Sequence, residues 1–228
     1  MNSDHDPIKC IRHLLESKST AKQAAYRNIV NAFAIMSNEA KHVVEELQRK
    51  TRPGDKDVTV EFNTINEHEF DVKLAGDMLI FVMHTNVVTF DETHPIMKDE
   101  YIKSNETNRY FGQIMIYNFM ADSLKFNRPN DPGYLLGRLM INQEERFFME
   151  GEKQLVDFNK ISEKPITEAC LRKIVKIALR MAIENDLIAP PYTQVKSITL
   201  HQKREHTPEL GAGQKIGFRM SYENKTEG

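Results

Sequence analysis

Tryptophan is absent from the 228 residues, and cysteine occurs only twice, at Cys10 and Cys170. Neither cysteine has a second one at ligand spacing, which excludes a cysteine zinc site and gives no sign of a disulfide framework. Both sit in apolar helical patterns, so they are expected to be small buried hydrophobes. No apolar run exceeds Met78-Leu-Ile-Phe-Val-Met83, too short to span a bilayer. The start, Met-Asn-Ser-Asp-His-Asp, has neither the basic residues nor the apolar stretch of a secretory signal, so a cytoplasmic setting without membrane contact is expected. Charge of one sign is also lacking: 31 basic against 33 acidic residues give a formal net charge of -2. That balance argues against broad attraction to nucleic acid or anionic lipid.

Motifs of familiar chemistry are missing as well. There is no G-x-S-x-G elbow, phosphate loop, dinucleotide fingerprint or H-E-x-x-H pair. What remains is an ordinary globular chain, 40% hydrophobic and 28% charged, with eleven methionines as adaptable core fillers.

Periodicity gives the fold class. Residues 7–17 suit a short helix with Pro7 in its first turn, and Ser19 and Thr20 are placed to cap a second. From Ala25 the apolar positions Ile29, Ala32, Met36, Ala40, Val43 and Leu47 follow in steps of three and four, one stripe of a long helix that Pro53 and Gly54 end. The small residues on that stripe suit packing on a sheet better than a coiled-coil seam. Val58, Val60 and Phe62, then Phe70, Val72 and Leu74, alternate with polar residues as half-buried strands do. Ala75-Gly-Asp77 reads as a tight turn into a strand over 78–90 that is apolar on both sides and so expected to be central and covered on both faces. A polar excursion over 91–108, with a short helix near 98–103, leads to a strand over 109–120. A loop over 122–133 and a hairpin pairing 134–141 with 146–155 follow. A helix over 167–186 and two strands, 194–204 and 214–222, complete the chain.

The expectation is one α+β domain over 1–228. It comprises a helical segment (1–54), a sheet core (55–160) and a helix with two strands (161–228). Its single, mainly antiparallel sheet of about eight strands is flanked by the long N-terminal helix and the later one. An edge strand, or the helix over 21–50, offers a route to a homodimer.

Four clusters carry candidate chemistry. His84, Asp91, Glu92 and His94 combine imidazole and carboxylate groups that suit a metal, with His84, Asp91 and His94 as ligands. Arg172, Lys176 and Arg180 step by four along the last helix, beside Lys173, and would meet a small anionic ligand or an acidic partner protein. Glu150, Glu152, Lys153 and Asp157 form an acidic group with one lysine at the end of the hairpin. Ile80-Phe-Val82 and Arg109-Tyr-Phe-Gly112 weakly resemble the paired aromatic strand motifs of RNA-recognition sheets. The helix which that fold needs between them is missing, and the reading is against nucleic acid. Two function classes fit: a non-catalytic ligand-sensing or protein-interaction module, and a metal-assisted hydrolase built on residues 84–94 or the hairpin carboxylates. No cofactor is specified.

Overall fold

The computed structural model describes residues 6–51, 54–152, 155, 158–189, 191–197, 200 and 214–215. One rod opens the chain. Helix α1, Pro7–Leu14, is capped by the Asp6 side chain and runs through a wide π turn, Leu15–Ser19, into α2, Thr20–Lys50. The expected break at Ser19 and Thr20 is therefore absent. Ser19 has helical dihedrals and makes no capping bond, while Ser17 and Thr20 turn their hydroxyls back onto the carbonyls of His13 and Leu15. Nothing in 15–19 forbids helix, so the chain widens one turn instead of stopping.

The α2 stripe behaves as its spacing requires. Ala25, Ile29, Ala32, Met36, Ala40 and Val43 are buried, and the helix lies across one face of the sheet. Gly112 permits the close approach, since a Cβ there would sit 2.6 Å from the Ile29 side chain. That packing favours the sheet-covering reading of α2 over a seam to another copy.

The sheet has six strands, not about eight, in the order β1-β2-β3-β4-β5-β6 and wholly antiparallel. Its members are β1 Val60–Asn66, β2 Glu69–Leu74, β3 Asp77–Met83, β4 Gly112–Met120, β5 Tyr134–Ile141 and β6 Phe147–Gly151. The expected strand over 78–90 stops at Met83. After it the chain leaves the sheet except for one bridge, Val88 to Phe111. The excursion is made of short turns: a 3₁₀ turn at Pro95–Lys98, α3 at Glu100–Ser104 and a second 3₁₀ turn at Glu106–Arg109. Helix α4, Ala121–Lys125, occupies the start of what read as a loop. Helix α5, Glu168–Glu184, begins where expected, with Thr167 accepting a hydrogen bond from the Cys170 N–H.

Of the last two expected strands, most of 194–204 and 214–222 lies outside the described residues. Residues 192–195 form a helical turn, α6. A two-residue strand, β7 Leu187–Ile188, pairs with β8 Gln214–Lys215 apart from the main sheet. Cys10 is exposed, contrary to the buried role expected of it, because no residue of α1 is buried. Cys170 is free and partly covered, and burial pushes its thiol up to about 11, against the pull of Lys173.

The two faces of the sheet differ. On the inner face Phe70, Val72, Leu74, Leu79, Phe81, Ile114, Ile116, Leu136 and Leu139 form one core with α2 and α5. On the outer face, Ile96, Met97 and Ile102 from the excursion, with Phe111, close over Met140 and Phe148 of β5 and β6. The excursion does not reach the rest. Met78, Ile80 and Val82 of β3 and Met115, Tyr117 and Phe119 of β4 stay half-buried, and Leu135 beside Tyr117 is 41% exposed. The expectation that β3 is central holds, but only one of its faces is fully covered.

Candidate functional site: the outer face of the sheet

The sequence-predicted residues fall at three separate places. His84 follows β3, exposed, its backbone N–H donating to the Gln113 carbonyl at 2.9 Å. Asp91 accepts from the Thr93 N–H at 2.9 Å and the Thr93 hydroxyl at 2.7 Å, bonds that hold its carboxyl below the usual carboxylate range. Glu92 pairs with Arg109. His94 instead reaches across the sheet, its Nε2 lying 2.6 Å from Glu150 Oε1. Among the described residues, no group of three or more His, Cys, Asp or Glu side chains is arranged to hold a metal.

His94 and Glu150 come from two different candidate clusters, 56 residues apart, and their contact is the centre of a closed network. His94 Nδ1 accepts from the Ile96 N–H at 3.3 Å, capping the 3₁₀ turn, so the ring proton is assigned to Nε2, which donates to Glu150. The other Glu150 oxygen accepts from Arg138 Nε. Phe90 stacks on the His94 ring at 4.2 Å, and the Arg138 guanidinium lies 5.3 Å from the Phe90 centroid. Every strong donor and acceptor position of the imidazole is taken, and among the described residues no hydroxyl or thiol joins the network. The arrangement fastens the excursion to β5 and β6, beside a hollow of about 370 Å³ that includes Ile96, Phe148 and Leu155. Of the other hairpin-end residues, Glu150 is in this network, while Lys153 and Asp157 lie outside the described residues.

On α5, Arg172 turns inward to α2. Its Nη1 donates to Glu39 at 2.9 Å and its Nη2 to Glu46 at 3.0 Å. Burial opposes ionisation of Glu39, which is 4% exposed, yet the Arg172 bond, aided by His42 and Glu168, holds its carboxyl below the usual range. Hydrogen bonding to Glu39 raises Arg172 in return, aided by Glu46 and opposed by desolvation. Lys176 lies 3.9 Å from Glu46, and Arg180 lies 3.5 Å from Glu184. The basic ridge thus lines a hollow of about 350 Å³ but already faces carboxylates. Of the aromatics in the weak RNA-recognition resemblance, Phe81 and Phe111 are fully buried, and Tyr110, 9% exposed, has Lys18 and Lys22 over its ring, so none is open for a base to stack on.

Sequence reading missed the open part of the outer face and the concavity of about 1000 Å³ at its β2–β3 turn end. Met78, Met120 and Leu124 supply apolar lining there, and Lys73, Lys125 and Arg128 supply cations, with Asp57 and Asp122 among them. Phe126, 56% exposed, holds Lys125 at 5.1 Å and Arg128 at 5.3 Å over its ring. The signal was in the sequence: β3 and β4 are apolar at both parities, and only one parity was accounted for by the helices.

Among the described residues, no helix is long and apolar enough to cross a membrane. The chain matches no family model, no curated protein and no solved structure.

Proposed function

We propose that this chain is a non-catalytic recognition module, and that the uncovered part of the outer sheet face is its recognition surface. The observation that carries the reading is the half-buried band Met78, Ile80, Val82, Met115, Tyr117 and Phe119, continued by exposed Leu135. A sheet face that only meets water alternates to polar residues, whereas this one presents methionine, aliphatic and aromatic side chains. Methionine-bearing apolar surfaces adapt to the shape of what they bind. The concavity extends the band toward small ligands. Lys125 suits an anionic group and Met78 and Met120 an apolar one; Arg128 already lies 3.8 Å from Asp131, while Arg172 and Lys176 face Glu39 and Glu46.

An environment-sensitive apolar dye tests the reading. Wild-type protein, folded and diluted until monomeric, enhances the dye's emission, and Leu135→Asp lowers that enhancement severalfold without changing the circular dichroism. Equal enhancement by both proteins contradicts it. Metal-assisted hydrolysis is the competing reading; it needs His94 and Glu150, now bonded to each other, to turn to an ion instead. It requires a divalent ion to raise the melting temperature of wild type but not of His94→Ala.

A further inference from the structure

We propose that the outer face is covered by helix α1 of a second copy of this chain, exchanged reciprocally in a two-fold dimer. The proposal rests on the recognition-surface reading above and names its occupant.

Two apolar surfaces lack a partner among the described residues, and they differ in kind. The first is the α1 stripe. Ile8 is 70% exposed, Ile11 51%, Leu14 47% and Leu15 58%, all near one side of the helix. The π turn at Leu15–Ser19 shifts the phase of the helical repeat. The stripe therefore leaves the body-facing line that Ala21 and Ala25 begin. The second surface is the band on β3, β4 and Leu135.

Their dimensions and charges match. From Ile8 to Leu15 the stripe runs ~10 Å along the helix. The band from β3 to β5 is ~10 Å wide and somewhat longer along the strands. The rod around α1 carries Lys9, Arg12, Lys18 and Lys22 against Asp6 and Glu16. On the outer face, β2 carries Glu69 and Asp71 beside the Glu61–Lys73 pair, while Arg138 of β5 is paired with Glu150 of β6. An amphipathic helix with basic flanks thus meets an apolar sheet whose β2 margin is acidic and whose β5 margin is neutralised by the Arg138–Glu150 pair. The sheet already accepts a helix on its inner face in the same way.

The occupant has to come from another copy. α1 continues into α2, which is pinned to the inner face, so α1 cannot turn onto its own outer face without breaking the rod. Reciprocal exchange doubles the contact and closes the assembly, whereas a one-way contact would propagate.

Sedimentation and light scattering on the full chain give the test, with Ile11→Asp and Leu135→Asp as variants at exposed positions and Met115→Lys as a second sheet variant. Wild type is expected to be dimeric at high micromolar concentration. Each variant weakens that dimer by roughly tenfold or more, since each removes a central apolar contact. Mixing Ile11→Asp with Leu135→Asp gives a 1:1 heterodimer that forms more readily than either variant's homodimer, because one of its two contacts joins an intact α1 to an intact face. A monomeric wild type overturns the proposal. So does a mixture that stays monomeric, or a dimer that neither sheet variant weakens. Recruitment of monomeric wild type to anionic phospholipid vesicles, lost in Ile11→Asp, also overturns it and assigns the stripe to a lipid surface. The dye experiment separates the two readings: dye binding at Leu135 with no dimer refutes the exchange alone.

Discussion

The same strands meet two different fates on their two sides. In β3, Leu79, Phe81 and Met83 are buried under α2 and α5, while Met78, Ile80 and Val82, equally apolar, are only half covered. Two of the three carboxylates buried among the described residues, Glu39 and Asp71, repeat the contrast. Glu39, between α2 and α5, is held by Arg172 and ionises more readily than usual. Asp71, on the outer face, is raised by burial, with the Asn63 amide at 2.8 Å offsetting only part and Glu61 adding to the rise. The inner face has the packing and paired charge of a completed core. The outer face has the composition of a core without its cover.

Substitutions sharpen that difference when read by urea denaturation. Phe81→Ala should cost about 4 kcal/mol, through lost burial and the cavity left behind. Ile80→Ala, its neighbour on the other side, should cost only about 1 kcal/mol, because much of its surface is not enclosed. Similar losses at both positions would break the comparison. Arg172→Ala should cost about 2–3 kcal/mol, somewhat below the value for a wholly enclosed pair, because Glu39 loses its partner. Glu39→Gln in the same background should recover part of it.

The carboxylates give opposite pH signatures. Glu39, depressed in the folded state, contributes stability that is present above its ordinary value of 4.5 and lost as pH falls through the lower folded value. Wild type should therefore lose its advantage over Glu39→Gln on acidification. Asp71, raised, does the reverse: as pH rises from its ordinary 3.8 through the folded value, wild type loses stability relative to Asp71→Asn. Parallel curves for the two pairs would remove the distinction. The smallest effect is expected at Ala75, which sits in the β2–β3 turn with φ 50, a left-handed conformation that costs a residue with a Cβ ~1 kcal/mol. Ala75→Gly should be neutral or stabilising by less than that, since glycine also gains freedom in the unfolded chain.

Elements with a strong local rule were legible in the sequence. The α2 stripe, the β5–β6 hairpin and the start of α5 near Thr167 needed only period and turn residues. The π turn was not, because 15–19 contains good helix formers beside two serines, and the serines suggested a cap rather than a widened turn. The site was less legible, for a physical reason. Glu39 and Arg172 are 133 residues apart, and His94 and Glu150 are 56 apart, so their pairing depends on which strands become neighbours. Read alone, Arg172 and Lys176 looked free for a ligand and His94 looked free for a metal. Burial of β3 on both sides was inferred from its composition, which reports what a strand can bury and not what is present to cover it.

Methionine oxidation by dilute peroxide, resolved residue by residue by mass spectrometry on monomeric protein, tests the central claim within one sample. Met78 and Met115 on the outer face should oxidise well before Met36, Met140, Met149 and Met181, which are fully or almost fully buried. Oxidation of all six at similar rates, or of Met36 and Met181 before Met78 and Met115, would contradict an open apolar face on this sheet.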